Sequence, residues 1–357
     1  ESTVVNGSAI YLQDPARFWK FRGLRLTNNY GSGPLIRTGG VNDLKITNTY
    51  VYNSSGSGVD NHFGIYVNLG GAGSVYNVEV SRNFIKNYRW NGGGASEDNT
   101  GGILVINKAD RPESGIYIER NVIWDDGTAG QDPAWCIRKK HGAEVSANVS
   151  TGIKVRNNYC IGTHGFVQNN GSYMLIENNF VLVEGDHAFY MQGEITDSQL
   201  GNVIRNNTII GDATSMFTWN FAAFDGEESY ELDGNIFVRN LAQNFENGTY
   251  TLFVYGSGPD RLTFLADNML ISDNNCYYND VEAVRFPFFN SGGGGDNYTL
   301  AGFKTALSVD TNSFEEDPNF NAFYQATSTN CAGKGWTYGD PDPIPSPSPS
   351  PSASPSA

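Results

Sequence analysis

The sequence predicts an all-β protein: a single-stranded right-handed parallel β-helix, that is, a solenoid of stacked coils with loop insertions on one side. Three observations predict it. A short motif containing Asn recurs along most of the chain, apolar and polar residues alternate with a period of two around each copy, and no apolar stripe with a helical period persists. The regular hairpin spacing that would favour a β-sandwich is absent from the sequence.

The repeated motif consists of an aliphatic residue, then polar residues, then an Asn, and usually an aromatic or β-branched residue after it. Its copies begin at Leu26, Ile46, Val80, Ile118, Val155, Ile176, Ile204, Leu232 and Ile271. We expect the apolar residues to point into a narrow core, and Asn to turn the chain because it tolerates the left-handed conformation. In stacked coils these Asn residues would form one column, with their amides bonded along the stack.

The spacing of the copies gives the number of residues in each coil. Asn158, Asn179, Asn207 and Asn235 follow one another at intervals of 21 to 28 residues, which corresponds to one coil without insertions. Earlier copies lie 34 to 38 residues apart, so those coils are expected to carry loops of a dozen or more extra residues.

A second strand can be aligned after each Asn turn. Its copies begin at Pro34, Gly64, Ile103, Trp135, Phe166, Phe189 and Phe217, and each starts apolar and ends polar. The long loops, residues 53–63, 86–101 and 124–134, all precede this strand. The loops are therefore expected to form one wall of a groove, and the polar strand ends its floor.

The motif covers roughly residues 20–280, and the segments Thr299–Lys304 and Ser313–Phe320 follow it. Together they resemble the bacterial right-handed parallel β-helix proteins of the polysaccharide-lyase-like (pectin-lyase-like) superfamily. That resemblance implies a secreted protein with a polymer groove, and it covers lyases, hydrolases, epimerases and non-catalytic surface proteins. It also implies that a lyase site would use a Lys or Arg base, often with calcium as the neutralising cation.

The densest cationic cluster of the chain, Arg138-Lys139-Lys140-His141, falls on the expected floor. If Ile137 points inward, alternation sends Arg138 and Lys140 outward together. β-Elimination from a uronate needs a base and a positive charge, so Lys140, Arg138 and His141 are the candidate catalytic residues. A solvated strand end is the alternative interpretation. The neighbouring polar candidates for substrate binding are Asn68, Asn107, Lys108, Gln168, Asn170 and Gln192.

Aromatic and acidic residues lie in or beside the long loops. Trp90, Trp124 and Trp135 could stack on a sugar or anchor the loops to the solenoid. Asp125, Asp126 and Asp60 are the candidate metal ligands, and calcium is the one cofactor that the pattern suggests. Paired carboxylates could also serve a glycosidase, and loop Asp residues are commonly turn formers.

Composition narrows the class of partner. A net charge of -15 disfavours nucleic acid, and no apolar run is long enough to span a membrane. The four cysteines fit no zinc spacing. Cys136 and Cys160 lie about one coil apart and could form a disulfide or remain core thiols, whereas Cys276 and Cys331 suggest no clear arrangement.

The expected organisation is a β-helix over residues 1–339 and a Pro/Ser-rich linker or tail over 340–357. Coils begin near Ala9 without an evident helical cap, so upstream coils or a self-assembly partner are expected there. A carbohydrate-binding module is a second expected partner, after the linker. The favoured function is a secreted, extracellular or cell-surface lyase acting on an acidic, uronate-containing polysaccharide. A glycoside hydrolase and a non-catalytic adhesin, surface or filament protein are the alternatives.

Overall fold

A computed structural model describes the chain in segments. The described residues are 4–6, 10–12, 19–27, 36–39, 43–52, 62–68, 75–86, 100–106, 113–125, 135–140, 152–169, 174–192, 202–211, 215–220, 236–238, 241–243, 253–255, 271–280, 284, 286–289 and 295–337. The expected tail, 340–357, lies outside them. Within these segments, no helix is long and apolar enough to cross a membrane.

The strands form three parallel ladders, which we call faces 1, 2 and 3. Face 1 contains β1 (Val4–Asn6), β4 (Arg25–Thr27), β7 (Tyr50–Tyr52), β10 (Phe84–Lys86), β13 (Val122–Trp124), β20 (Thr208–Gly211), β23 (Leu241–Gln243), β26 (Cys276–Tyr278) and β29 (Phe314–Glu315). Face 2 contains β2 (Ile10–Leu12), β5 (Ile36–Gly39), β8 (His62–Asn68), β11 (Thr100–Ile106), β14 (Trp135–Lys140), β21 (Ser215–Asn220) and β24 (Phe253–Tyr255). Two long strands, β16 (Tyr159–Asn169) and β18 (Phe180–Gln192), run through both of these faces.

Face 3 precedes the Asn turns. It contains β3 (Lys20–Arg22), β6 (Leu44–Thr47), β9 (Val75–Ser81), β12 (Glu113–Glu119), β15 (Ile153–Arg156), β17 (Leu175–Glu177), β19 (Val203–Arg205), β22 (Ile236–Val238) and β25 (Ile271–Asp273). Each coil therefore runs through face 3, an Asn turn, face 1 and face 2. This architecture is the expected parallel β-helix solenoid.

The core is a column of aliphatic side chains from all three faces. On face 2, Ile36, Ile65, Ile103 and Ile137 stand in register in successive coils, and all four are fully buried. The second aligned strand predicted from the sequence is thereby confirmed.

The Asn turns use two adjacent positions for two tasks. The first position adopts the left-handed conformation, at Asn48, Arg82, Arg120, Asn157, Asn178, Asn206 and Asn274, with φ between 51° and 58°. The second position is buried and forms the predicted column, in which Asn83 bonds Asn121, Asn121 bonds Asn158, Asn158 bonds Asn179 and Asn179 bonds Asn207, at 2.9–3.0 Å. The residue that turns the chain is thus the one before the ladder amide.

Two copies of the motif lie at other positions in their coils than the sequence predicts. Leu26 lies on face 1, after the turn, where it aligns with Val51, whereas Ile46 lies on face 3, before the turn. The turn of the Leu26 coil is at Gly23, with φ 69°. Ile236 lies in a face 3 strand opposite Val203, before the turn, whereas the copy of the motif that begins at Leu232 placed it after the turn. The motif resembles any strand end with polar residues, and only the pairing register separates the cases.

The cysteines form two disulfides, Cys136–Cys160 and Cys276–Cys331, with Cα–Cα distances of 6.1 and 5.5 Å. The first decides the question left open by the sequence. It joins the start of face 2 in one coil to face 1 of the next, and both cysteines are fully buried.

The segment after the last Asn turn closes the solenoid. A hairpin of β27 (Phe286–Phe289) and β28 (Gly295–Tyr298) leads into α1 (Leu300–Leu307), whose N-cap is Thr299. Ser313 continues the Asn column, since its hydroxyl accepts a hydrogen bond from the Asn275 backbone at 2.8 Å. Residues 316–337, which we call the strap, then return along the outside of face 1 to the coils of Asn178 and Thr208.

Candidate functional site

The groove predicted on face 2 can be checked by register. Asn68 and Lys140 both align with Ile106, and Gln192 lies further along the same edge, opposite Asn220. For Asn68, Lys140, Gln168 and Gln192 the structure describes the backbone position and not the side chain. Asn107, Lys108, His141 and Asn170 lie outside the described residues.

Two cations of the predicted floor are buried. Arg138 is 4% exposed. In the outer row, that is, the row of side chains on the side of the strands away from the core, it aligns with Leu104 and Tyr66. Those two residues belong to an apolar cluster separate from the main core. Lys139 is 3% exposed and aligns with Val105, a residue of the main core. The alternation that placed Ile137 inward is correct. The expectation that Arg138 lies on an open floor is wrong, because this outer row is covered.

Trp135 anchors the strand to the solenoid. It is 3% exposed, and its ring lies 6.0 Å from Tyr190. The backbone beside it is tightly packed, since a Cβ at Gly102 would stand 2.6 Å from Ile123 and 2.9 Å from the Cys136 carbonyl oxygen. Of the two roles considered for this tryptophan, the structure favours anchoring over sugar stacking.

The predicted metal ligands are only partly described. Asp125 is 3% exposed, and its backbone N–H donates to the Ile161 carbonyl at 2.8 Å. Asp60, Asp126 and Trp90 lie outside the described residues. Among the residues that are described, no three His, Cys, Asp or Glu side chains converge as a metal site would require. Calcium therefore stays a prediction.

Of the two candidate tryptophans that the structure describes, Trp135 is buried and Trp124 is presented to solvent, with 37% of its surface exposed. It aligns on face 1 with Lys86 and Tyr52 from the two preceding coils. Phe84 and Tyr50 form the parallel outer row, and their rings stack with centroids 5.0 Å apart. With Arg25, these five residues form a surface that we call the aromatic strip.

Two cations lie among the rings of the aromatic strip. The Lys86 ammonium is 4.4 Å from the centroid of Trp124 and 5.9 Å from that of Tyr52. The Arg25 guanidinium is 5.5 Å from the centroid of Tyr50. The aromatic strip thus combines flat apolar surfaces with positive charge.

The strip borders the long loops. Tyr52, Lys86 and Trp124 are the final residues of β7, β10 and β13, and each long loop follows one of these strands. The side chains at the foot of the predicted loop wall are therefore a tyrosine, a lysine and a tryptophan.

The strap covers the continuation of the outer row that contains Tyr50 and Phe84, which runs on to Tyr159 and Phe180 in later coils. Trp336 meets Tyr159 edge-on at 5.2 Å and Phe180 at 6.0 Å, and its backbone N–H donates to the Thr208 hydroxyl at 2.8 Å. Tyr324 packs on Phe180 at 4.9 Å. The aromatic strip therefore ends where the strap begins.

Of the strip, sequence reasoning found Trp124 and missed Lys86, Tyr52, Tyr50, Phe84 and Arg25. The signal was present, because in each coil the first and third residues after the turn face outward. Counting from the Asn column would have aligned Tyr52, Lys86 and Trp124.

The fold is therefore a parallel β-helix, its described surface offers the aromatic strip, and the described cations of the face 2 strand are buried. Comparisons of the chain with protein-family profiles, with curated proteins and with solved structures found no match.

Proposed function

We propose that the chain is an extracellular carbohydrate-active protein that binds an acidic polysaccharide along the aromatic strip. The observation that carries the proposal is the row Tyr52–Lys86–Trp124, in which one ammonium lies between two rings. The two disulfides and the resemblance of the sequence to the polysaccharide-lyase-like superfamily support an extracellular setting.

The chemistry of a uronate suits this row. The C–H face of a pyranose ring is apolar and packs on an aromatic side chain, while its carboxylate needs a cation. Lys86 can still donate to a carboxylate while its ammonium touches the rings, because it carries three N–H donors. Trp124 and Tyr52 would hold the sugar faces, and Lys86 the charge between them.

The geometry also suits a polymer. Neighbouring coils are separated by about 4.8 Å, the ordinary strand spacing, so the strip repeats its contacts at regular short intervals. Arg25 and Lys86 place positive charge in coils two apart, on the outer face of one sheet. A chain lying across the strands would meet alternating rings and cations.

Binding can be measured by calorimetry with oligomers of galacturonate, guluronate and mannuronate, and with uncharged oligomers of glucose. We expect Lys86→Gln to weaken binding of the acidic oligomers about tenfold, since a hydrogen bond to a charged group is lost. Trp124→Ala should weaken it by a similar factor through loss of the stacking surface.

Lys154 offers the matched control, because its ammonium also lies over a ring, 5.2 Å from Tyr117, on face 3. Lys154→Gln should leave binding of the acidic oligomers unchanged. If Lys86→Gln binds like the unaltered protein, or if both lysine variants lose affinity equally, the strip is not the site.

Cleavage by β-elimination on face 2 is the second candidate function. It is favoured by the register, which sets Lys140 next to Arg138 and in line with Asn68 through Ile106. Lys140 would remove the proton α to the carboxylate, and Arg138 would stabilise the charge that develops. A buried guanidinium acts more strongly on developing negative charge than a solvated one, because the local dielectric is low.

A lyase generates unsaturated ends that absorb in the ultraviolet, whereas a glycoside hydrolase generates reducing ends without that absorbance. Incubation with polyuronates, with and without calcium, separates the two and tests the cofactor. We expect Lys140→Ala to abolish the ultraviolet signal while leaving binding at the strip intact. Full activity in that variant would remove Lys140 from the mechanism.

A further inference from the structure

A second surface with the character of a ligand site lies on face 3, across the Asn turns from the aromatic strip. An open cleft of about 570 Å³ is lined there by Trp19, Asp43, Lys45, Asn77, Glu79 and Tyr117, together with Lys20. Small-molecule sites in proteins commonly measure roughly 300–1,000 Å³, so the cleft has room for a ligand.

Successive coils build the cleft. Lys45, Glu79 and Tyr117 occupy one row of face 3 in three neighbouring strands. Asp43 and Asn77 lie one strand apart, both with positive φ, and the Asn77 amide donates to the Asp43 carboxylate at 2.9 Å. The polar groups are thus held in a fixed array by the sheet and by each other.

Trp19 supplies a flat apolar wall. Its side chain is 48% exposed, and its ring stacks nearly parallel to Phe21, with centroids 6.0 Å apart and an interplanar angle of 12°. A large aromatic side chain fixed in this way beside carboxylates and an amide presents one apolar face and several hydrogen-bonding groups to the same space.

The cleft is close to neutral. Lys45 pairs with Glu79 at 2.8 Å, and this hydrogen bond raises the pKa of the Lys45 ammonium. Ser81 donates to the other oxygen of Glu79 at 2.6 Å. Lys20 and Asp43 add one charge of each sign. A carboxylate offers about four acceptor sites, so Glu79 and Asp43 can still accept hydrogen bonds from hydroxyl groups.

We infer that this cleft binds a neutral sugar unit, with the ring against Trp19 and its hydroxyls on Asp43, Asn77 and Glu79. The inference goes beyond the proposed function, because it adds a second glycan site of different charge on another face. The solenoid would then hold an acidic chain on face 1 and a neutral one on face 3.

The test uses the full chain and hexamers of glucose, mannose, galactose and xylose, with binding followed by calorimetry and tryptophan fluorescence. We expect at least one neutral hexamer to bind and Trp19→Ala to weaken that binding about tenfold or more. Asn77→Gly, which removes the amide and tolerates the positive φ of that position, should weaken it as well. Trp124→Ala, which alters the aromatic strip, is the matched control and should leave it unchanged.

Absence of binding for every neutral hexamer at millimolar concentration overturns the inference. So does binding that is lost in Trp124→Ala and kept in Trp19→Ala, which would assign the neutral sugar to the strip. Asn77→Gly guards against a folding defect in Trp19→Ala, and both variants are compared with the unaltered chain by thermal unfolding. Failure of acidic oligomers to bind the strip leaves these outcomes unaffected.

Discussion

Each ladder amide links three successive coils. The Asn121 amide nitrogen donates to the Val80 carbonyl of the preceding coil and to the Asn158 side chain of the next, at 2.9 and 3.0 Å. Its oxygen accepts the backbone and side-chain N–H groups of Asn83, both at 3.0 Å. Because these groups are buried, no water replaces a lost partner, and each group left without a hydrogen bond lowers the stability of the protein.

Asn121→Ala should therefore lower the free energy of unfolding by about 2–4 kcal/mol, because several buried groups lose their partners at once. Denaturation in urea, followed by circular dichroism, measures it. Arg120→Gly changes the neighbouring position, which has φ 56° and is exposed, and should alter stability by less than about 1 kcal/mol. Equal losses in the two variants would mean that the turn conformation, and not the amide column, holds the coils together.

Asp310 and Ser313 together complete the C-terminal end of the column: Asp310 accepts from the Asn275 side-chain amide, and Ser313 accepts from the Asn275 backbone. The Asp310 carboxylate accepts hydrogen bonds from Ser272 and Asn275, at 2.7 and 2.8 Å, and from Ser313 and Tyr277. Burial raises the pKa of Asp310 above its ordinary value, despite these donors. The protonated form is thus favoured in the folded protein relative to the unfolded chain.

The pH dependence follows from that sign. Stability contributed by Asp310 is complete below the ordinary Asp pKa and is lost as pH rises through the raised value. Asp310→Asn should remove this loss, because its amide oxygen can keep the bonds of Asn275, Ser313 and Tyr277 while its nitrogen faces Ser272. Melting temperature measured from pH 3 to pH 8 should fall less with pH in the variant. A steeper fall of melting temperature in the variant would show that the ionised carboxylate stabilises this end of the column.

Within the described part of the chain, the strap makes the hydrogen bonds that span the most residues. Thr337 exchanges hydrogen bonds with Asn178, its N–H donating at 2.6 Å and its carbonyl accepting at 2.8 Å, across 159 residues. The Cys276–Cys331 disulfide fixes the strap to the last coils. The strap therefore joins coils that do not touch each other, whereas a solenoid otherwise makes only neighbour contacts.

Trp336→Ala should release the end of the strap, since Trp336 is 6% exposed and supplies its aromatic contacts with Tyr159 and Phe180. Replacing a buried Trp by Ala commonly lowers the free energy of unfolding by about 3–5 kcal/mol. We expect faster hydrogen exchange at Thr337 and around Asn178, with little change in the N-terminal coils. Exposed Phe323, which is 71% accessible, provides the matched control as Phe323→Ala. Unchanged exchange in Trp336→Ala would mean that the strap is held by other contacts.

Strands and core positions were predictable because they depend on local alternation. Ile65, Ile103 and Ile137 follow from period two and the Asn spacing, and all three are buried as expected. Exposure of the outer rows was not predictable. Arg138 has the sequence context of a surface cation and is nevertheless buried, and the cover of Phe180 comes from a strap more than a hundred residues away. Coverage by remote segments leaves no periodic trace in the sequence.

The whole protein exerts two electrostatic forces on an acidic ligand, a long-range repulsion and a short-range attraction. The net charge of -15 repels a polyuronate over the full surface, whereas the contacts with Lys86 and Arg25 act only at the strip. The screening length is about 30 Å at 0.01 M salt and about 8 Å at 0.15 M. Moderate salt therefore removes most of the repulsion and leaves much of the close attraction.

Affinity for a uronate hexamer should then pass through a maximum as salt increases from 0.01 to 1 M, because the local attraction also weakens at the highest concentrations. Calorimetric titration at five or six salt concentrations measures the curve. Lys86→Gln should lower the maximum, and binding of a neutral hexamer at the face 3 cleft should stay nearly flat. A steady decline of acid binding from the lowest salt would place the acidic ligand in a more strongly cationic site, where attraction exceeds the overall repulsion at every distance.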